Sequence, residues 1–557
     1  MRKTSVSNYK FSAVLVLLVS MIFSGCTSKS TVSNSSNKTM SDDSYDVARN
    51  ESYSTTPKMS SNTTANSSMG NRTGITSEQS ADVEKKSNGE RYAEITENPF
   101  LEVVRAPLST FSIDVDTAAY ANVRRYLNDG QLPPKSAVRI EELINYFEYD
   151  YPQPIGDVPF AVYPEVAECA WNPNHKIVHI GLQGKKVSME DTPPSNLVFL
   201  IDVSGSMQPS DRLPLLKDSL PYLVNQLTSK DRVSIVVYAG SGGLVLPSTS
   251  ADNKGEILSA IENLKTGGST NGGAGIQMAY RIAQENFIQG GNNRVILATD
   301  GDFNVGLSGD SELVNLIENK RQSGVFLSVL GVGTGNLNDS MMEKLADKGN
   351  GNYSYIDSME EARKALGRQA SGTLYTIAKD VKIQVEFNPA KVAGYRLIGY
   401  ENRLLADRDF NDDTKDAGEI GAGHTVTAIY EIIPAGQKIE NPGVDDLKYS
   451  KVEPSNTNFS AELMTVKLRY KEPKEDQSKL MSIGVLDRNY SIENASENVR
   501  FASAVAQFGL LLRDSRYKGN ASFANIQNLA SSALGNDFRN YRNEFLGLVN
   551  KAKNLKN

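Results

Sequence analysis

Cysteine is nearly absent: Cys26 and Cys169 are the two in 557 residues. Histidine is scarce too, with only His175, His179 and His424. None adjoins a serine-rich cluster in sequence, so a serine hydrolase would lack its general base. Their spacing fits no zinc site. Excess positive charge is missing as well. The formal net charge is -7 and the pI near 5.4. With no strong Lys/Arg stripe, this argues against nucleic acid as a partner. Beyond the N-terminus no apolar run approaches the ~20 residues of a membrane-spanning helix. No internal repeat is found. What remains is ordinary for a folded protein, 39% hydrophobic and 22% charged, in a chain long enough for roughly three or four domains.

The N-terminus is a targeting segment. Arg2, Lys3 and Lys10 precede the short apolar core "FSAVLVLLVSMIF", and "FSGC" follows, ending at Cys26. Such a core is too short to span a bilayer. The pattern resembles the lipobox of bacterial lipoproteins, with Phe23 where leucine is usual. The resemblance implies cleavage before Cys26 and acylation of that cysteine. Removing residues 1–25 takes away three positive charges and changes the formal charge from -7 to -10. With Cys26 lipidated, no intramolecular disulfide is possible, and Cys169 reads as a small buried apolar side chain. Thr27 is not the aspartate that retains some lipoproteins at the inner membrane. In a Gram-negative cell this favours the outer membrane.

Residues 26–94 are rich in Ser, Thr and Asn and show no hydrophobic periodicity. They read as a disordered tether, because such a segment cannot bury enough apolar surface to offset its ordering entropy. Its ~65 residues would reach roughly 45 Å as a random coil. Residues 95–194 read as a mixed α+β region. "STFSIDVDT" alternates like a strand, "AAYANVRRYLNDG" and "AVRIEELINYF" read as helices, and "VPFAVYPEVAECAW" and "HKIVHIGLQGKKV" as paired strands.

Between 195 and 367 short apolar strands alternate with helices. "NLVFLID", "DRVSIVVYA", "NRVILATDG", "VFLSVLGVG" and "GNYSYID" are the strands. In the helix "DRLPLLKDSLPYLVNQL", Leu213, Leu216, Leu220, Leu223, Val224 and Leu227 share one face. Pro214 suits its first turn and Pro221 should kink it. This pattern predicts an α/β unit with a mostly parallel sheet covered by helices on both faces. Residues 368–557 return to strand-like alternation, as in "DVKIQVEFNP", "TVTAIYEIIP" and "AELMTVKLRYK", and close on helices. The strands on either side of the α/β unit are too few to close separate cores, so the two flanks are expected to pack together.

Ligands of a parallel α/β sheet bind beyond the carboxyl ends of its strands. Three polar clusters fall there: "LIDVSGSMQP" with Asp202, Ser204 and Ser206; "TGGSTNGG" with Thr270; and "LATDGDFN" with Asp300. Hydroxyls and carboxylates without sulfur or imidazole suit a hard divalent cation, Mg²⁺, Ca²⁺ or Mn²⁺. Here the chain resembles the von Willebrand factor type A domains. Asp-x-Ser-x-Ser after the first strand, a later threonine and the aspartate of "TDG" match their metal ion-dependent adhesion site. The resemblance implies a Rossmann-like α/β fold and a cation, Mg²⁺ foremost, held by Asp202, Ser204, Ser206, Thr270 and Asp300. It also implies a vacancy that a partner protein's Asp or Glu carboxylate fills. Neutral hydroxyls leave the cation's charge largely uncompensated, which favours that contact. The flanks "STFSIDVDTAAYANVRRYLNDGQLPP" and "DAGEIGAGHTVTAIYEI" resemble those of a group of bacterial lipoproteins built on this domain.

Other signals carry less. "GVGTGN", Gly331–Asn336, lacks the spacing of a dinucleotide loop and reads as the turn after a strand. "DRDFNDDTKDAGE", Asp407–Glu419, has Asp412 and Gly418 where a calcium loop needs Gly and Glu, and reads as a solvated acidic hairpin loop. Asp114 and Asp116 read as a strand-end cap. The expectation is a non-enzymatic, membrane-anchored envelope protein. A metal-assisted hydrolase and a scaffold with a vestigial metal site are the alternatives.

Overall fold

The computed structural model describes residues 89–556, apart from 189–190, 240–242, 269–271, 302–309 and 440–460. The signal segment, Cys26, Thr270 and nearly all of the tether lie outside the described residues. The described residues begin at Gly89, inside the stretch read as tether. Glu90 is buried, and Arg91 bridges to Asn338.

The first flank contributes β1 (Leu101–Glu102), β2 (Leu108–Ser112), β3 (Phe160–Glu168) and β4 (Lys176–Gly184). The α/β unit holds β5 (Ser195–Asp202), β6 (Arg232–Tyr238), β7 (Gly243–Ser250), β8 (Asn292–Thr299), β9 (Val325–Val332) and β10 (Tyr353–Ile356). The second flank adds β11 (Thr376–Phe387), β12 (Val392–Ile398), β13 (Gly418–Gly421), β14 (Thr425–Pro434), β15 (Glu462–Lys471) and β16 (Lys479–Leu486).

The central sheet runs β10-β9-β8-β5-β6-β7. Its pairs are parallel except for β7, which lies antiparallel on β6. Strand β5 is buried along its whole length. Alternate side chains explain why. Leu197, Phe199 and Ile201 enter one core with the six apolar residues of helix Leu213–Val224 and the turn after it. Val198 and Leu200 enter the core on the other face with Ile276, Ala279 and Tyr280. A strand covered on both faces must be apolar throughout, which is why it reads as a run in the sequence.

The flanks interleave. One sheet runs β1-β12-β14-β4-β3, so two strands from after the α/β unit lie between strands from before it. In the other, β2 pairs with β11, which also pairs with β13 and β15. Val178, Ile180 and Leu182 of β4 face a core shared with Ile383 and Val385 of β11 and Val466 of β15. On the opposite face, Ile177 packs under helix Glu497–Arg513. His179 on that face is buried, bonded to the Tyr151 hydroxyl at 2.9 Å. Burial holds its pKa down, at about 4. Cys169 sits in this helical core.

One expectation is corrected. The strand over "STFSIDVDT" ends at Ser112; Asp114 and Asp116 turn inward to Arg403 (3.8 and 3.6 Å), and Asp116 also caps the start of β10 by accepting the backbone N–H of Tyr353. The acidic loop 407–419 is largely exposed, as expected, and is also pinned to the sheet. The Lys382 ammonium donates to the carbonyls of Asp409 and Asp412, and that of Lys471 to the carbonyl of Asp413.

This interleaving yields a test. Deleting residues 368–557 strips β14 from β4 and β11 from β2. The truncated protein is expected to lose its single cooperative thermal transition and to bind a hydrophobic dye. An unchanged transition would show that the first flank folds without the second.

Candidate functional site

Strand β5 ends at Asp202, and its direction points that carboxylate out of the carboxyl edge of the central sheet. The spacing Asp-x-Ser does local work. Asp202 Oδ1 accepts the backbone N–H of Ser204 at 2.8 Å, the i to i+2 bond by which aspartate makes a turn. A single helical turn, Gly205–Met207, then carries Ser206 back beside Ser204. The two hydroxyl oxygens stand 2.9 Å apart. Ser204 is buried and Ser206 half-buried, so the pair opens outward.

Asp202 itself is fully shut from solvent. Its second oxygen accepts the hydroxyls of Tyr238 at 3.2 Å and Thr299 at 3.4 Å. Burial pushes its pKa up to about 6. The nearby charge of Asp300 adds to the rise, while the bonds from Ser204 oppose it. Tyr238 holds this position because helix Gly272–Glu285 packs closely on β6. A Cβ at Gly275 would stand 2.5 Å from the Cβ of Tyr238, so the approach requires glycine there.

Asp300 follows β8 and is also fully buried. Arg212 links it to the serine turn. Its Nη1 donates to Asp300 Oδ2 at 2.5 Å and to the Ser206 carbonyl at 2.7 Å. Its Nη2 donates to the Thr334 carbonyl at 2.7 Å and to Asn336 Oδ1 at 2.9 Å. Asn336 Nδ2 in turn donates to Asp300 Oδ2 at 3.0 Å. The loop after β9 is thus part of the site. Gly333 makes room for the guanidinium, with a φ of +77° and a Cβ position 2.4 Å from Arg212 Nε.

Asp202, Ser204, Ser206 and Asp300 therefore meet at one edge of the sheet, and Thr270 lies outside the described residues. Arg212 and Asn336 belong to the same site but were not among the expected residues. The donors suit a hard cation: two neutral hydroxyls beside two carboxylates in a nearly dry setting. Among the described residues no group of three or more His, Cys, Asp or Glu side chains could hold a metal ion. A site that draws half its donors from serine is not of that kind. Arg212 is the feature against the fit, since it already neutralises one oxygen of Asp300.

Comparison with known proteins agrees with this architecture. Residues 196–368 match the von Willebrand factor type A domain family, residues 86–179 the family described as "von Willebrand factor", and residues 372–555 that described as "Uncharacterized protein YfbK, C-terminal". The central unit is thus a von Willebrand factor type A domain. The Escherichia coli protein YfbK is 46% identical over 475 residues, covering 83% of this chain and 81% of its own. The chain belongs to the YfbK family of proteins that contain this domain. The human inter-alpha-trypsin inhibitor heavy chain H4 is 28% identical over 163 residues, which span 28% of this chain and 17% of that protein. Among solved structures, a von Willebrand factor type A protein from Catenulispora acidiphila is 16% identical. It covers 72% of this chain and 91% of its own, with a TM-score of 0.41.

The burial of Asp202 sets a measurable sign. An acid whose pKa is raised by folding lowers stability above its unfolded pKa, because the unfolded chain ionises first. Raising it from 3.8 to about 6 costs roughly 3 kcal/mol at neutral pH, at 1.36 kcal/mol per unit. Asp202→Asn is therefore expected to stabilise the chelator-treated protein at pH 7.5, with the gain gone near pH 3.8. Denaturant titration at both pH values reads this. A gain over the wild type no larger at pH 7.5 than near pH 3.8 would contradict the assignment.

Proposed function

We propose that this protein is a lipid-anchored cell-envelope protein. It binds a protein partner through a divalent cation held by Asp202, Ser204, Ser206, Thr270 and Asp300. Domains of this type commonly bind such a cation and mediate protein interactions. The observation that carries the reading is the pair of serine hydroxyls 2.9 Å apart beside a fully buried carboxylate. A buried anion with few compensating donors gains most from a cation.

The cation, Mg²⁺ foremost, would supply a strong Lewis-acid contact for an incoming Asp or Glu carboxylate. The chain's own residues do the positioning. The Ser204 amide and the Tyr238 and Thr299 hydroxyls fix Asp202, and the Asp300 side chain is fixed by Asn336. Exposed Gly205 keeps the mouth of the site low. No catalytic base is part of this reading.

The Arg212–Asp300 pair favours a second reading, a scaffold in which guanidinium replaces the cation and the site is vestigial. Calorimetric titration of the soluble fragment with Mg²⁺ and Ca²⁺ separates the two. Saturable uptake that Asp202→Ala abolishes supports the cation site, and no uptake of either ion supports the scaffold. A pull-down from envelope extracts, with and without chelator, then identifies the partner. Ester or phosphoester turnover lost in Asp202→Ala would instead make the protein a metal-assisted hydrolase.

The anchor rests on Cys26 and the apolar segment before it. Metabolic labelling with a radioactive fatty acid is expected to mark the protein, and Cys26→Ser to lose both label and membrane fraction. Retention of either by the variant would remove the anchor from the account. An outer-membrane location in a Gram-negative host follows from Thr27, and density fractionation tests it.

A further inference from the structure

A polar cavity lies away from the serine turn. It measures about 430 Å³. Arg294, on β8, is part of its wall. That residue is six positions before Asp300, or about 20 Å along the strand. Both flanks and the von Willebrand factor type A domain contribute to the lining, with Asp114, Arg294, Arg321, Arg403, Asp416 and Glu419 among the charged groups.

Most of these charges neutralise one another. Arg403 lies within ion-pair distance of Asp114, Asp116, Glu343 and Asp347. Arg321 pairs with Asp416 and with Glu318. Arg294 does not fit that pattern. It is 2% exposed, yet among the described residues no carboxylate lies within ion-pair distance of it. Nη1 donates to the Ser328 hydroxyl at 2.7 Å, and Nε has no hydrogen-bond partner among the described residues. The Phe326 ring, 5.7 Å away, offers only a weak contact. A guanidinium has five N–H donors and remains charged in proteins. Burying it beside one neutral hydroxyl is costly.

Glu419 lines the same cavity. Its carboxylate accepts the Thr376 hydroxyl at 2.6 Å and forms no ion pair among the described residues. The two charges feel each other, since each shifts the other's protonation. They do not meet. A bare anion at Arg294 would be repelled by Glu419, and a bare cation at Glu419 would be repelled by Arg294. A ligand carrying both charges satisfies the two groups together.

We propose that this cavity binds a small zwitterion of the amino-acid class, its carboxylate on the Arg294 guanidinium and its ammonium on the Glu419 carboxylate. The volume admits a free amino acid or a dipeptide. Binding would tie the type A domain to its flanks from the side remote from Asp202. The proposal does not use the cation site and stands or falls apart from it.

Isothermal titration of the soluble fragment tests it, with the twenty α-amino acids and the dipeptides Gly-Gly and Ala-Ala as probes. At least one probe is expected to bind saturably. N-acetylating that probe, or converting its carboxylate to the amide, should each weaken binding about tenfold or more, the loss of one buried charge-assisted contact. Glu419→Gln and Arg294→Met should do the same, and Asp202→Ala should not. If Arg294→Met fails to fold, Glu419→Gln and the two modified probes still decide. Binding that survives acetylation and Glu419→Gln, or equal binding of propionate or inorganic phosphate, would mean a plain anion site and overturn the proposal. So would the absence of binding by every probe. Free amino acids bound in preference to dipeptides, or the reverse, identify the source.

Discussion

A carboxylate withdrawn from water and left without a full counter-charge is the constraint on which the site depends. Asp202 ends a strand whose every other side chain is buried, so the ionisable group inherits the dryness of the core. One amide and two hydroxyls hold it, and one further carboxylate opposes it. Folding alone would replace such a residue with a neutral one. Its presence at the carboxyl edge of a parallel sheet, next to an outward-facing pair of serines, is the kind of local conflict that marks functional sites.

The flanks hold this sheet by buried charge as well as by apolar packing. Arg139, beside the first flank's helix Ile140–Asn145, meets Asp339 of the type A domain at 2.5 Å. Arg124 meets Glu361 at 2.8 Å. Asp116 accepts the backbone N–H of Tyr353, the first residue of β10, at 2.7 Å. Buried pairs like these add little net stability over apolar contacts, but breaking one leaves a charge stranded. They fix how the domain sits between its flanks. Glu90 joins the same frame, because it accepts the backbone N–H of Gly335 at 3.0 Å. That loop also carries Asn336, a partner of Asp300, so Glu90 supports the loop that borders the candidate site.

Much of this was legible in the sequence wherever one residue's environment follows from its near neighbours. The central strands show as apolar runs because both faces are covered. The helix over Leu213–Val224 shows because Leu213, Leu216, Leu220, Leu223 and Val224 all enter one core. Asp202, Ser204 and Ser206 show because their geometry is a local turn. What escaped has distant causes. Strand β7 is an irregular edge with Leu244 and Val245 half exposed, so no alternation marks it. Strands β12, β13 and β16 and helix Phe523–Ser531 gave no run or period strong enough to notice. Arg212 finds its partners 88 and 124 residues away, and nothing near it in the chain announces them. Asp114 and Asp116 read as a surface cap because Arg403, which draws them inward, lies in the other flank.

The most direct measurement is anomalous diffraction from a crystal of the soluble fragment soaked in Mn²⁺. The account predicts a single strong peak bonded to the Ser204 and Ser206 hydroxyls, with the Arg212 guanidinium moved off Asp300. A map without a peak there, with Arg212 still on Asp300, would contradict it.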